Sequence, residues 1–64
     1  MHRSIEGKKT DSGYDMTVRS EKKSKIKWLR KLAIRSKSEY KYVVGDLGFK
    51  DGLYFQTIYF TLRN

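Results

Sequence analysis

The sequence predicts a small two-layer α+β domain in which one basic amphipathic helix packs on a three-stranded antiparallel sheet. Three observations lead to this class: period-two alternation after residue 13, an apolar stripe of helical period in the middle, and two strand-forming segments at the end. The elements then run strand, helix, strand, strand. With 64 residues the chain has room for one domain.

The first thirteen residues are polar and are interrupted by Gly7 and Gly13. Ile5 is the only apolar side chain among them after Met1. This composition predicts a flexible N-terminal arm over residues 1–13, with a transient strand around Arg3 to Glu6 as an open option. The domain proper is then expected over residues 14–64.

The first strand is predicted from Tyr14, which alternates with polar residues together with Met16 and Val18. The helix follows, and either Ser20 or Ser24 can serve as its N-cap. Glu21 would add a negative charge near the helix N-terminus, where the helix dipole favours it.

Projection at 100° per residue divides the predicted helix, Ser24 to Ser36, into two faces. Lys22 and Lys25 also fall on the apolar side, which indicates either that they extend their ammonium groups to water or that the first turn is loose. Trp28, at the edge of the apolar side, is expected to cap the core. The apolar arc consists of Ile26, Trp28, Leu29, Leu32 and Ala33. The basic face consists of Lys23, Lys27, Arg30 and Lys31, with Arg35 nearby.

The second half predicts a hairpin between the segments 39–44 and 53–62. Lys50-Asp51-Gly52 suits a three-residue loop with Gly52 in the left-handed conformation, and Gly45 and Gly48 are expected to bend or bulge the strand before it. This loop sets Tyr40 opposite Leu62, Tyr42 opposite Phe60, and Val44 opposite Ile58.

A right-handed crossover then favours the strand order 1-3-2, with the longest strand in the centre. The helix is expected to cover one face of this sheet. The side chains expected beneath it are Tyr14, Met16, Val18, Tyr40, Tyr42, Val44, Ile58, Phe60 and Leu62.

The positive charge is concentrated in one segment. The chain has a net charge of +8, and residues 22–38 contain eight basic residues and no acidic one. Such a segment attracts acidic partners, and nucleic acid is the first of these. The sequence therefore predicts a non-enzymatic DNA- or RNA-binding module. The residues expected to contact phosphates, or an acidic protein, are Lys23, Lys27, Arg30, Lys31 and Arg35.

A second candidate surface is the sheet face turned away from the helix, where Lys41, Val43, Phe55 and Tyr59 are expected. It could stack bases, bind a second copy as a homodimer, or bind another protein. Because this face and the basic helix point in opposite directions, a second function stays open. That alternative is a small inhibitor or adapter, of the phage or mobile-element type, docking on an acidic or nucleic-acid-binding surface of a larger protein.

Other classes of function are disfavoured by what the sequence lacks. It has no cysteine and one histidine, His2, near the terminus, so neither an enzyme, a metal site nor a cofactor is expected. No apolar run approaches the roughly 20 residues that span a bilayer, and no secretion signal is apparent. A soluble cytoplasmic protein is expected. Membrane binding by the helix is not, because the core needs its apolar arc.

Overall fold

The computed structural model of the chain describes residues 4–62, which form one helix and a mostly antiparallel sheet of five strands. The predicted small α+β class is confirmed. His2 and the expected strand start at Arg3 lie outside the described residues. The elements are β1 (Ile5–Lys9), β2 (Gly13–Ser20), α1 (Lys23–Ser36), β3 (Tyr40–Val44), β4 (Gly48–Lys50) and β5 (Leu53–Leu62).

The sheet has the order β1-β2-β5-β3, and β4 also pairs with β5. The predicted three-stranded order is therefore wrong in detail, although β5 does lie between β2 and β3. The additional strand β1 falls within the segment interpreted as an arm, and it pairs with β2 from Ile5–Val18 to Lys9–Tyr14. The polar composition of this segment did not indicate a strand, because an edge strand needs few apolar side chains and commonly carries charged ones.

The hairpin loop is shorter than predicted. Lys50 pairs with Leu53, so only Asp51 and Gly52 form the turn. Both have positive φ, 53° and 80°, as a type I′ turn requires. The predicted three-residue loop is therefore wrong, and the Asp-Gly pair, a strong hairpin signal in sequences, was the better guide.

The predicted register of β3 against β5 nevertheless holds, and Tyr42 lies opposite Phe60. A bulge reconciles this register with the shorter loop. Residues 45–47 oppose only residues 56 and 57, so one extra residue is absorbed between β3 and β4. The amide of Gly45 donates to the carbonyl oxygen of Thr57 at 2.8 Å and continues the ladder into the bulge.

The helix begins one residue before the predicted start and ends at the predicted residue. Its N-cap is Lys22, which makes no side-chain cap hydrogen bond, and its first turn contains no acidic residue. The predicted caps are therefore wrong. Ser20 instead accepts a hydrogen bond from the amide of Lys22 at 3.2 Å, and Glu21 precedes the helix.

The core is narrower than predicted because α1 packs mainly on β2 and β5. Only the central stripe of the helix reaches these two strands. Trp28 and Leu32 were expected in the core, but they are 57% and 38% exposed. On the sheet, Tyr42, Val44 and Leu62 are also exposed. The buried apolar residues are Val18, Ile26, Leu29, Ala33, Ile58 and Phe60.

Candidate functional site

A buried glutamine connects α1 to the sheet. Gln56 is 7% exposed, and its Oε1 accepts a hydrogen bond from Nη1 of Arg30 at 2.9 Å. Its Nε2 donates to the carbonyl oxygen of Gly45 at 2.8 Å. The helix is therefore tied to the bulge between β3 and β4, and Arg30 faces that junction. Arg30 was predicted to contact a phosphate, whereas here one of its donors is used inside the domain.

The other predicted phosphate ligands form a ladder along the same side of the helix. Four-residue spacing places them in one row, about 6 Å apart along the axis. All four are exposed. We call this row the basic flank; it consists of Lys23, Lys27, Lys31 and Arg35.

The basic flank has no acidic counterpart in the described part of the chain. Between residues 4 and 62, the ion pair of Arg19 with Glu6, at 2.8 Å, is the only one within 4.0 Å. That pair lies on β1 and β2. Like charges at four-residue spacing repel one another, so the row lowers helix stability unless an anion neutralises it.

A groove of about 510 Å³ runs beside the C-terminal half of the basic flank. Lys31 and Arg35 line it from the helix, and Tyr40 and Tyr42 line it from β3. Tyr40 meets Phe60 edge-on, with ring centroids 6.2 Å apart. Tyr42 also contacts Phe60, at 6.3 Å, but is 49% exposed. One side of the Tyr42 ring is therefore supported by the core while much of its surface stays open to the groove.

Lys37 lines this groove on the side nearest the core. Its Nζ lies 4.3 Å from the ring centroid of Tyr14 and 5.5 Å from that of Tyr40. Cation–π contacts of this length hold the ammonium group against the two rings. Lys37 therefore stabilises the end of the helix, and it leaves Lys31 and Arg35 as the exposed cations of the groove.

A second exposed aromatic side chain lies on the same side of the sheet. Phe49 of β4 is 61% exposed and packs on Tyr54, with ring centroids 4.7 Å apart. Tyr54 packs against the core that the helix covers, so the paired Phe49 also faces the helix side. We call Tyr42 and Phe49 the aromatic edge, and the space between it and the basic flank the trough.

The opposite sheet face carries the four residues predicted for it. Val43 pairs with Tyr59, and they are 69% and 47% exposed. Lys41 is exposed beside them. Phe55 is half-buried because its ring covers Gly48, where an added Cβ would overlap the ring. The face therefore offers one small apolar patch, centred on Val43 and Tyr59, rather than a continuous aromatic surface.

The sequence reasoning missed an apolar pair on the outside of the helix. Trp28 and Leu32 are one turn apart and exposed, and we call them the outward ridge. The feature of the sequence that could have revealed this exposed pair was the presence of Lys22 and Lys25 within the predicted apolar arc. Those cations indicated that this side of the helix faces water, and the core therefore does not require the whole arc.

Two other kinds of site find no support in the described residues. No group of three or more histidine, cysteine, aspartate or glutamate side chains within residues 4–62 is placed to hold a metal ion. Over the same range, no helix combines the length and the apolar character that crossing a bilayer requires.

Comparison with known protein families, with characterised proteins and with solved structures found no match to this chain. Its function therefore has to be inferred from the chemistry of its surfaces.

Proposed function

We propose that this protein is a non-enzymatic nucleic-acid-binding module that contacts phosphates through the basic flank. The observation that carries the proposal is the row Lys23, Lys27, Lys31 and Arg35, exposed and without a carboxylate partner among residues 4–62. A polyanion supplies the missing negative charge and relieves repulsion within the row. Binding to phosphates also releases condensed counterions, which favours association at low salt.

The salt dependence follows from the number of phosphates neutralised. Each contributes about −0.9 to the slope of log affinity against log salt for duplex DNA, and about −0.7 for a single strand. Four contacts therefore give a slope of about −3.6 with duplex DNA and about −2.8 with a single strand. We expect binding that is tight at low salt and falls steeply towards physiological salt.

Charge reversal tests this proposal. The variant Lys27→Glu with Lys31→Glu should lose at least about tenfold in affinity, and its salt slope should fall by about two, because two phosphate contacts are removed. Fluorescence anisotropy with a labelled oligonucleotide, repeated over a salt series, measures both quantities.

The matched control is Lys41→Glu with Lys50→Glu. It makes the same change in net charge at two exposed lysines on the sheet face away from the helix. The control should keep most of the affinity and the full slope. Equal losses of affinity in the two double variants would show that binding depends on net charge alone. That result would contradict a binding site at the basic flank.

The outward ridge supports a second candidate function, a small inhibitor or adapter that docks on an acidic protein surface. Trp28 is 57% exposed and has Lys25 and Lys31 one turn away on the helix. Tryptophan is enriched among the residues that dominate binding energy at protein interfaces. The acidic partner would be attracted by the same field that attracts nucleic acid.

Reconstitution from purified components tests this candidate. A protein recovered after nuclease treatment should form a one-to-one complex that weakens with salt. The complex should lose at least about tenfold in affinity with Trp28→Ala, because truncating an interface tryptophan commonly costs about 2 kcal/mol or more. A partner that binds Trp28→Ala and the original chain equally well would exclude the ridge as its docking surface.

A further inference from the structure

We propose that the nucleic acid bound in the trough is single-stranded, with its phosphates along the basic flank and its bases stacked on the aromatic edge. This inference rests on the proposed function and assigns its ligand class. It also moves the stacking surface from the opposite sheet face, where the sequence placed it, to the helix side. Cations and exposed rings thus lie on one side of the molecule.

Tyr42 provides the first stacking position. It shares its groove with Lys31 and Arg35, so a base on the ring and a phosphate on the helix can be bound at the same time. The ring rests on Phe60 at 6.3 Å and is 49% exposed. A ring that is already held in place loses little side-chain freedom when a base stacks on it.

Phe49 provides the second position, at the other end of the trough. Its partner Tyr54 lies six positions along β5 from Phe60, the partner of Tyr42, which separates the two rings by about 20 Å. Like Tyr42, it is supported from one side, with its ring 4.7 Å from that of Tyr54.

The helix runs in the same direction over a matching length. Lys22 and Lys25, at its start, line a groove with Leu53 at the beginning of β5, whereas Lys31 and Arg35 approach Tyr42 near the end of β5. A helix of 14 residues extends about 21 Å. The helix therefore runs alongside β5 from the level of Leu53 to that of Tyr42, and the basic flank runs along the helix over the same length.

This arrangement suits unpaired bases and not a duplex. In a duplex, the faces of the bases are stacked on one another and unavailable to Tyr42 and Phe49. A single strand exposes its base faces on one side and its phosphates on the other, as a trough with rings on one wall and cations on the other requires. Stacking of this kind tolerates every base, so the expected binding has little sequence preference.

The test uses two tyrosines of nearly equal exposure on opposite faces of the sheet. Tyr42 is 49% exposed on the helix side, and Tyr59 is 47% exposed on the opposite sheet face. Tyr42→Leu should weaken binding of oligothymidylate about tenfold, in the range found when a stacking ring is removed. Tyr59→Leu should leave it within about twofold, and Tyr42→Phe, which keeps the ring, should recover most of the affinity that Tyr42→Leu loses.

Binding to a duplex of the same length is measured in parallel. We expect the original chain to prefer the single strand, and Tyr42→Leu to remove that preference. If Tyr42→Leu does not fold, as judged by circular dichroism, Phe49→Leu takes its place against the same Tyr59→Leu control, since the Phe49 side chain is 61% exposed.

The outcomes separate this inference from the proposed function. If neither the single strand nor the duplex binds at low salt, the proposed function fails. If both bind through Lys27 and Lys31, but the duplex is preferred or the Tyr42 and Tyr59 variants behave alike, only the single-strand inference is overturned. A loss confined to Tyr59→Leu would place stacking on the opposite sheet face and would also overturn it.

Discussion

At the scale of single residues, Gln56 shows how one buried polar side chain determines which cations of the helix are free to bind a partner. It accepts from Arg30 and donates to Gly45, and so connects helix, central strand and bulge. Sequence reasoning grouped Arg30 with the phosphate ligands because the helix projection places it next to Lys23 on the basic face. No sequence pattern signals its partner, since Gln56 is 26 residues further along the chain.

The variant Gln56→Leu tests this role. It leaves Arg30, which is half-buried, without its acceptor, and it leaves the carbonyl of Gly45 without one donor. We expect a loss of about 1–3 kcal/mol in the free energy of unfolding, measured by urea denaturation. Arg30→Met added to Gln56→Leu should recover part of that loss, because the unpaired guanidinium is then removed. Purely additive losses in the double variant would show that the two side chains are not coupled.

At the scale of elements, α1 forms although its N-terminus is poorly designed for a helix. Lys22 occupies the N-cap position without a cap hydrogen bond, and Lys23 and Lys25 place positive charge against the positive end of the helix dipole. Packing of Ile26, Leu29 and Ala33 on the sheet has to offset this. Local capping signals therefore misplaced the cap, whereas the apolar period correctly located the helix.

The variant Lys22→Asp should stabilise the domain. Lys22 has the extended backbone of an N-cap residue, with φ −108° and ψ 125°, so an aspartate there can accept from the free amides of the first turn. We expect about 0.5–2 kcal/mol of added stability, seen as a higher melting temperature in thermal denaturation. The control Lys50→Asp makes the same charge change at an exposed position of β4, on the sheet face away from the helix, and should have no comparable effect. A similar gain in both would attribute the effect to net charge.

At the scale of the whole molecule, the fold presents three candidate binding surfaces, whereas the sequence predicted two. The helix carries the basic flank, whose C-terminal half adjoins β3, and the outward ridge on another part of its exposed surface. The opposite sheet face adds the small patch of Val43 and Tyr59. Self-association through that patch stays a prediction, which the mass of the protein in solution at several concentrations decides. The segregation of charge, with +8 confined to residues 22–38, directs an anionic partner to the helix side.

The sequence by itself determined the types of the four predicted elements, the boundaries of the helix to within one residue, the register of β3 against β5, and the place of the charge. These follow from local periodicity and from the identity of neighbouring residues. The tertiary structure alone decided the rotation of α1, which residues of its apolar arc reach the core, and which aromatic rings share a side with the cations. The physical reason is that a helix over two strands needs only a narrow stripe. Its orientation is set by contacts between residues distant in sequence, which include the packing of Ile26, Leu29 and Ala33 on the sheet and the hydrogen bond of Arg30 with Gln56.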